Sequence, residues 1–379
     1  MAAQPRRIGN GVRPVTITLM KLSNTLLAAL SLCTAFAATE LGEINGAKYR
    51  IDMPANWNGG LVMYCHGYNP QPGSFDEKPN PVLQVFVDQG YAVAQSGYAA
   101  GGWAIQEAAV DTESLRRFFV KKYGKPKETY ITGHSMGGFL TMLLMEQNPG
   151  VYDAAMPMCG PLAPTMQFIA RGAFDSRVLF DYYFPGALPG PLGIPADFKN
   201  TPALAKEVEA LLDKAPEKAA VLKRQQGTKS NKDLAGVLTF LTYLLKEMQE
   251  RAGGTPFDNR NIIYSNTDDD NVVNAGVKRF TADPKAVEYL RTFYTPTGKI
   301  ARPMLAIHTS YDPLVPVSVP NNYQALVDEA GTSALFVQQY VKHDGHCRIL
   351  PDEVKKGFSQ LREWKSSGVR PKSGDQATQ

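Results

Sequence analysis

The stretch Glu128-Thr129-Tyr130-Ile131-Thr132-Gly133-His134-Ser135-Met136-Gly137-Gly138 decides how the chain reads. Glu128 to Thr132 has the β-branched and aromatic character of a strand, and the Met- and Leu-rich run from Phe139 to Gln147 reads as helix. Strand, sharp turn and helix is the setting in which a G-x-S-x-G pattern carries chemistry. The turn is so tight that its flanks must be nearly free of side chain, hence Gly133 and Gly137. It lifts the Ser135 hydroxyl clear of the sheet and leaves the Met136 backbone N–H at a helix N-terminus, where a developing oxyanion is stabilised. The plain alternative is a glycine-rich turn with an incidental serine, and only the rest of the chain can weigh against it.

Upstream of this stretch the same rhythm repeats. Lys48 to Met53 reads as a half-buried strand, and Leu61 to Cys65 as the wholly apolar kind found inside parallel sheets. Strand from Tyr91 to Gln95, helix from Ile105 to Lys122 and strand from Asp153 to Cys159 follow. Such alternation predicts right-handed βαβ units and a mostly parallel sheet. From Gly160 to about Ala301 the rhythm breaks: aromatics crowd residues 168–184, and two helices, Pro202 to Leu222 and the apolar Asp233 to Arg251, follow a Pro/Gly bend. Placement between two sheet strands marks this part as an inserted, mostly helical cap over residues 160–301. Asp268-Asp269-Asp270 within it lacks the spacing and central glycine of a calcium loop and reads as an exposed acidic turn. The sheet resumes with Met304 to His308 and Leu335 to Val341, and a helix from Asp352 to Lys365 closes it. The expected organisation is core at 38–159 and 302–366, cap between them, and a polar tail at 367–379.

The first 37 residues differ from the rest. Lys21, an apolar run from Leu26 to Phe36 and the closing Ala35-Phe36-Ala37 have the order of a secretory signal peptide, with Met20 as the expected start and the segment too short for a membrane span. Cleavage after Ala37 removes four basic residues and no acidic ones, leaving 36 of each sign, so the overall excess is no argument for a nucleic-acid or anionic-membrane partner. Export, to periplasm or medium, makes a disulfide possible among Cys65, Cys159 and Cys347.

The residues now add up to a family. Ser135 on the elbow, Asp312 after the next-to-last strand and His346 after the last stand in the chain order Ser, Asp, His. From about residue 47 to 365 the chain resembles the α/β-hydrolase superfamily, within it the secreted bacterial esterases and lipases. The resemblance implies an α/β fold of mostly parallel sheet flanked by helices, a Ser135 nucleophile, a His346 base and an Asp312 orienter. It also implies that His66-Gly67 marks the oxyanion loop, making Tyr68 N–H the second donor beside Met136. Tannases and feruloyl esterases of this superfamily join a cysteine before the nucleophile to one after the base. Here Cys347 follows His346 but His134 stands where the first would be, so that pattern is half present; Cys347 is left to pair with Cys159 or Cys65.

All five histidines (His66, His134, His308, His343, His346) are expected at or just beyond carboxyl ends of strands, where open α/β sheets place their sites. His343 is the alternative base. His66 and His134 are expected to support backbone geometry. No metal or cofactor is implied: neither ligand spacing nor a phosphate or dinucleotide loop is present. Trp103, Phe180 and Tyr183 are the expected pocket residues for a moderately hydrophobic or aromatic small-molecule ester. A serine peptidase of the same fold is the runner-up, and a non-catalytic binding protein the third reading.

Overall fold

The structure is a computed structural model that describes residues 38–76, 78 and 80–376. The expected signal peptide and its start at Met20 lie outside the described residues. Strands β1 (Ala38–Ile44) and β2 (Ala47–Met53) form an antiparallel hairpin whose two-residue turn, Asn45-Gly46, has φ of 51° and 84°. Then come β3 (Gly60–Cys65), α1 (Pro81–Val87), β4 (Ala92–Ser96), α2 (Ile105–Tyr123), β5 (Glu128–His134), α3 (Met136–Gln147) and β6 (Ala154–Met158). A π-helical stretch, Met166–Phe174, opens the insertion and runs into α4 (Asp175–Tyr183). The insertion continues with α5 (Pro202–Asp213), α6 (Pro216–Gln226), α7 (Asn231–Ala252), α8 (Asp270–Gly276) and α9 (Pro284–Tyr294). β7 (Met304–Tyr311), α10 (Asn321–Glu329), β8 (Phe336–Asp344), α11 (Pro351–Ser367) and β9 (Gly374–Asp375) complete the chain.

The strands form one sheet in the order β1-β2-β4-β3-β5-β6-β7-β8-β9, antiparallel at β1/β2 and β2/β4 and parallel elsewhere. This is an α/β-hydrolase fold, with β5 at the middle of the sheet and neighbours covering both its edges. One apolar layer runs from the sheet through α2 and α3 into the insertion; the other packs α1 and α11 on the opposite face. Burial on both faces is why β3 and β6 are apolar throughout.

Three local features depart from the sequence reading. β1 precedes the strand expected to be first, and it escapes the pattern because it is an edge strand with mostly exposed or half-buried residues. The helix expected over Pro202–Leu222 is two helices, because Pro216 lacks the N–H that continuation past Ala215 requires and instead starts α6 at its first turn. The polar tail is not all loose: Gly374–Asp375 pairs with β8, and Gln376 is 2 % exposed. The acidic run is local structure, since the Asp269 carboxylate accepts from Asn271 N–H (3.0 Å) and Val272 N–H (3.1 Å) and caps α8.

Helix α7 governs how the insertion meets the sheet. Ser230 caps it by accepting from Asp233 N–H at 3.0 Å, and Gly253, at φ 66°, ends it. Leu234, Leu238, Leu241, Leu245 and Met248 are buried along it, each worth about 1.5–3 kcal/mol relative to exposure. The helix therefore stays docked, with Phe240 and Leu244 turned toward the carboxyl ends of the strands.

Candidate active site

Two glycines make the elbow possible. A Cβ on Gly133 would sit 2.5 Å from both the Cys65 and Gly137 carbonyl oxygens; one on Gly137 would sit 2.6 Å from the Cys65 carbonyl carbon and 2.7 Å from the His66 oxygen. No side chain fits there, so β5, β3 and the start of α3 approach backbone to backbone. Ser135 pays the strain instead, with φ 57° and ψ −122°, outside the regions open to most L-residues. Bonds from Ser135 N–H to Met158 O (3.0 Å) and from Gly138 N–H to Ser135 O (2.8 Å) hold it. The result is a half-buried serine at the head of α3, whose first-turn N–H groups lack partners within the helix.

The acid and the base arrive from neighbouring strands. Asp312 follows β7 and is fully buried at its side chain. Its Oδ1 accepts from Leu314 N–H (2.9 Å) and Val315 N–H (2.8 Å), which leaves Oδ2 for His346 Nδ1 at 2.7 Å. A carboxylate only accepts, so Nδ1 carries the proton and Nε2 is free to accept from the Ser135 hydroxyl, 2.8 Å away. Burial raises the Asp312 carboxyl, but the His346 bond and charge and the Val315 N–H outweigh it and hold the group below its ordinary value. Ser135, His346 and Asp312 thus stand in one hydrogen-bonded line, 211 and 34 residues apart in sequence.

The base loop is anchored on both sides. Gly345, at φ 118°, donates its N–H to Tyr311 O (2.8 Å), and Thr309 donates to Gly345 O (3.1 Å). Cys347 is bridged to Cys159, just after β6. That settles the pairing the sequence left open: Cys65 is the free thiol, fully buried, and burial pushes it up to about 12. Such a thiol is inert.

The remaining histidines do other work. His343 donates to Glu353 (2.9 Å) and does not join Ser135. His134 lies beside the Tyr64 hydroxyl at 3.3 Å; burial and the nearby His346 lower it to about 4. His66 stacks on Tyr98 with centroids 3.9 Å apart and donates to Gly67 O at 2.6 Å; burial lowers it too, against two backbone bonds that raise it. His308 donates to Val315 O at 2.9 Å and is likewise lowered by burial. These three rings are neutral at pH 7 and act as scaffolding.

The loop His66-Gly67-Tyr68 lies against the elbow: a Cβ on Gly67 would be 3.2 Å from His134 O and 3.3 Å from Ser135 Cβ. Met136, the other expected oxyanion residue, is the first residue of α3. Between them opens a cavity of about 340 Å³ lined by Ser135, His346 and apolar groups. Tyr68 and Trp103 line it as expected. Phe180 and Tyr183 do not, which corrects the sequence reading. Phe180 is fully buried and stacked on Phe184, while Tyr183 donates its hydroxyl to Asp268, so both belong to the insertion's own packing. The walls come instead from Phe168, Phe240, Leu244, Leu314 and Val315. Phe240 and Leu244 share a face of α7 at the i, i+4 spacing, and Leu314 and Val315 stand two and three residues after Asp312, signals readable in the sequence but not assigned to the pocket. Among the described residues no cluster of three or more His, Cys, Asp or Glu is arranged to hold a metal ion.

Residues 42–278 match the model of the tannase-like family of unknown function (DUF6351). The chain belongs to that family. The matched span holds Ser135, Tyr68, Trp103 and the α7 wall residues; Asp312 and His346 lie beyond it. No curated protein matches. Similar solved structures include the esterase Pf2001 of Pyrococcus furiosus, 13% identical over 87% of this chain and 92% of that one, with a TM-score of 0.48. Est1E of Butyrivibrio proteoclasticus is 13% identical over 86% of this chain and 98% of its own, at 0.43. The acylaminoacyl peptidase of Pyrococcus horikoshii is 13% identical over 89% of this chain but 42% of its own, at 0.44.

Proposed function

We propose that this chain is an exported serine hydrolase that cleaves carboxylic esters through an acyl-enzyme, with Ser135 as nucleophile, His346 as base and Asp312 as its orienter. The observation that carries this reading is the unbroken line from Ser135 Oγ to His346 Nε2 and from His346 Nδ1 to Asp312 Oδ2, at 2.8 and 2.7 Å, on the wall of an apolar cavity. Ser135 Oγ attacks the ester carbonyl as His346 Nε2 takes its proton. Asp312 keeps the ring in the needed tautomer and stabilises the imidazolium. The tetrahedral oxyanion is met by the Met136 and Tyr68 N–H groups, each such donor being worth about 3 kcal/mol. Collapse breaks the C–O bond, and the alcohol leaves with the proton from His346. Water then attacks the acyl-enzyme, giving its proton to His346 and releasing the acid and free Ser135.

The apolar walls favour a hydrophobic acyl or aryl group, and 340 Å³ admits a small one. The helical insertion acts as a cap that supplies Phe168, Phe240 and Leu244 to this pocket. Export is supported by the signal-like leader and by the Cys159–Cys347 bridge, which persists in oxidising compartments. Among the described residues no helix is long and apolar enough to cross a membrane.

The test is hydrolysis of p-nitrophenyl esters from acetate to palmitate by the purified protein beside Ser135→Ala. Serine-dependent turnover, falling off at long chains, is the expected result. Turnover retained in Ser135→Ala overturns the nucleophile; no turnover on any ester overturns the ester reading and moves the question to peptides.

A further inference from the structure

Immediately before Asp312 and two residues before His346 stand Tyr311 and Asp344, neither used by the chemistry above. They are opposite one another in the β7/β8 register, and both are held by the start of α7. The Tyr311 hydroxyl accepts from Lys229 N–H at 2.8 Å and donates to Asp233 Oδ2 at 2.9 Å. Asp233 is itself fixed by Ser230, whose hydroxyl donates to the same oxygen at 2.8 Å while capping the helix. Lys229 Nζ meets Asp344 at 2.7 Å and lies 4.2 Å above the Tyr311 ring. Tyr311 O in turn receives the Gly345 N–H at 2.8 Å. Strand ends are free to splay once their ladder stops, and here β7 and β8 stop one and two residues before Asp312 and His346, whose side chains must stay within hydrogen-bond reach of each other.

Resting on the ester-hydrolase reading, we propose that Tyr311 and Asp233 are positioning residues: they clamp the insertion to the loops carrying Asp312 and His346, so that the helix forming the substrate wall also sets the acid–base geometry. The same α7 carries Phe240 and Leu244 into the cavity some two to three turns further on. Its far end is fastened as well, Arg251 pairing with Glu107 at 3.0 Å. A substrate that presses on Phe240 and Leu244 therefore bears on a helix whose N-terminus holds the catalytic loops. Of the clamp's parts, the Lys229–Asp344 pair is the weakest, since both side chains are more than half exposed and water screens them. The bond from the Tyr311 hydroxyl to Asp233 is part-buried and carries the coupling, while the Lys229 N–H bond to the same hydroxyl is exposed.

The experiment uses Tyr311→Phe, Asp233→Ala and the double variant, each with urea unfolding, steady-state hydrolysis of the best p-nitrophenyl ester and hydrogen exchange at the Gly345 amide. Each single variant is expected to lower kcat about tenfold with KM within about twofold, because misplaced catalytic groups cost rate rather than binding. The double variant should be no slower than the slower single one, since both single changes remove the Tyr311–Asp233 bond. Gly345 exchange should quicken in both. Wild-type kcat in both variants, or losses that multiply in the double, overturns the clamp. So does unchanged Gly345 protection, which reads the clamp even if no ester is hydrolysed; that last case removes the ester reading alone. Should Tyr311→Phe fail to fold, Asp233→Ala, which removes the acceptor from a partly exposed position, decides.

Discussion

Gly137→Ala tests whether the elbow is a matter of backbone contact or only of sequence pattern. An added Cβ would stand 2.6 Å from the Cys65 carbonyl carbon and 2.7 Å from the His66 oxygen, where ordinary contact begins at 3.4 Å. The Cys65 carbonyl oxygen is closer still, so the end of β3, the His66 loop or the first turn of α3 must retreat by more than about 1 Å, and all are backbone in well-packed surroundings. Overpacking of that kind costs about 3 kcal/mol. Helix propensity works the other way, favouring Ala over Gly by about 1 kcal/mol, which leaves a net loss of about 2 kcal/mol. Gly236→Ala in α7 is the matched control: nothing lies within 4 Å of its Cβ and its φ is ordinary, so the same exchange should stabilise by up to about 1 kcal/mol. The retreat also separates Tyr68 from Met136, and displacement near 1 Å at a reacting centre costs about a hundredfold in rate. Urea unfolding and p-nitrophenyl ester kinetics on the two variants read both effects. A Gly137→Ala protein with wild-type stability and kcat would refute the contact argument, as would a Gly236→Ala protein destabilised to the same degree.

Three further outcomes follow from the geometry. Replacing Cys159 and Cys347 together by Ser opens a bridge between residues 188 apart, which loop entropy values at about 5 kcal/mol; urea unfolding should show a loss of about 3–5 kcal/mol, and kcat should fall with it as the His346 loop loosens. The fold should weaken on acidification: His134 is lowered to about 4 from 6.5, so the unfolded chain takes up its proton first, and stability complete above pH 6.5 is lost as pH falls through 4. That loss is at most about 3 kcal/mol for His134, and His66 and His308, lowered in the same sense, add to it, while Asp175, raised to about 6 by burial, works against it; the His134 part is read as the stability difference between wild type and His134→Gln, and a difference that does not change between pH 7 and 4.5 in urea would contradict it. Phe240→Ala, by deepening the cavity, should move the preferred p-nitrophenyl ester toward longer acyl chains without changing which variants are inactive, and an unchanged preference would remove Phe240 from the acyl wall.

What the sequence discloses and what it hides divide along physical lines. The elbow is legible because its glycines answer to a steric demand with no substitute, and the carboxyl-end residues are legible because strand, loop and helix alternate so regularly around them. Ser135, Asp312 and His346, read as a set from chain order and their places after strands, are joined by hydrogen bonds that both run through His346. The disulfide was open because strand order is not written in chain order: Cys65 and Cys159 both end strands, but β6 lies two places from β8 in the sheet and β3 lies four. The cavity wall was misread for a different reason. Aromatic content marks the insertion as apolar without saying which aromatics face inward, and Phe168 sits in a π-helical stretch, where a 3.6-residue period no longer tells the facing side. Phe180 and Tyr183, read by proximity in sequence, were claimed by the insertion's own core.

The position of the bridge bears on what a tannase-like chain needs near its nucleophile. The resemblance to tannases implies a cysteine before the serine as the partner of the one after His346, whereas here that place belongs to His134. Yet His134 is paired in register with Met158, whose carbonyl accepts the Ser135 N–H, and Cys159 is the next residue. The anchor in this chain therefore stands on the neighbouring strand, level with the elbow. Cys159 also donates its N–H to Ile307 O at 2.8 Å, so a single residue ties β6 to β7, the strand that leads to Asp312, and through its sulfur to the loop that holds His346. Position 134 holds a neutral imidazole that lines the cavity, and the His346 loop is tethered at the level of the elbow from β6.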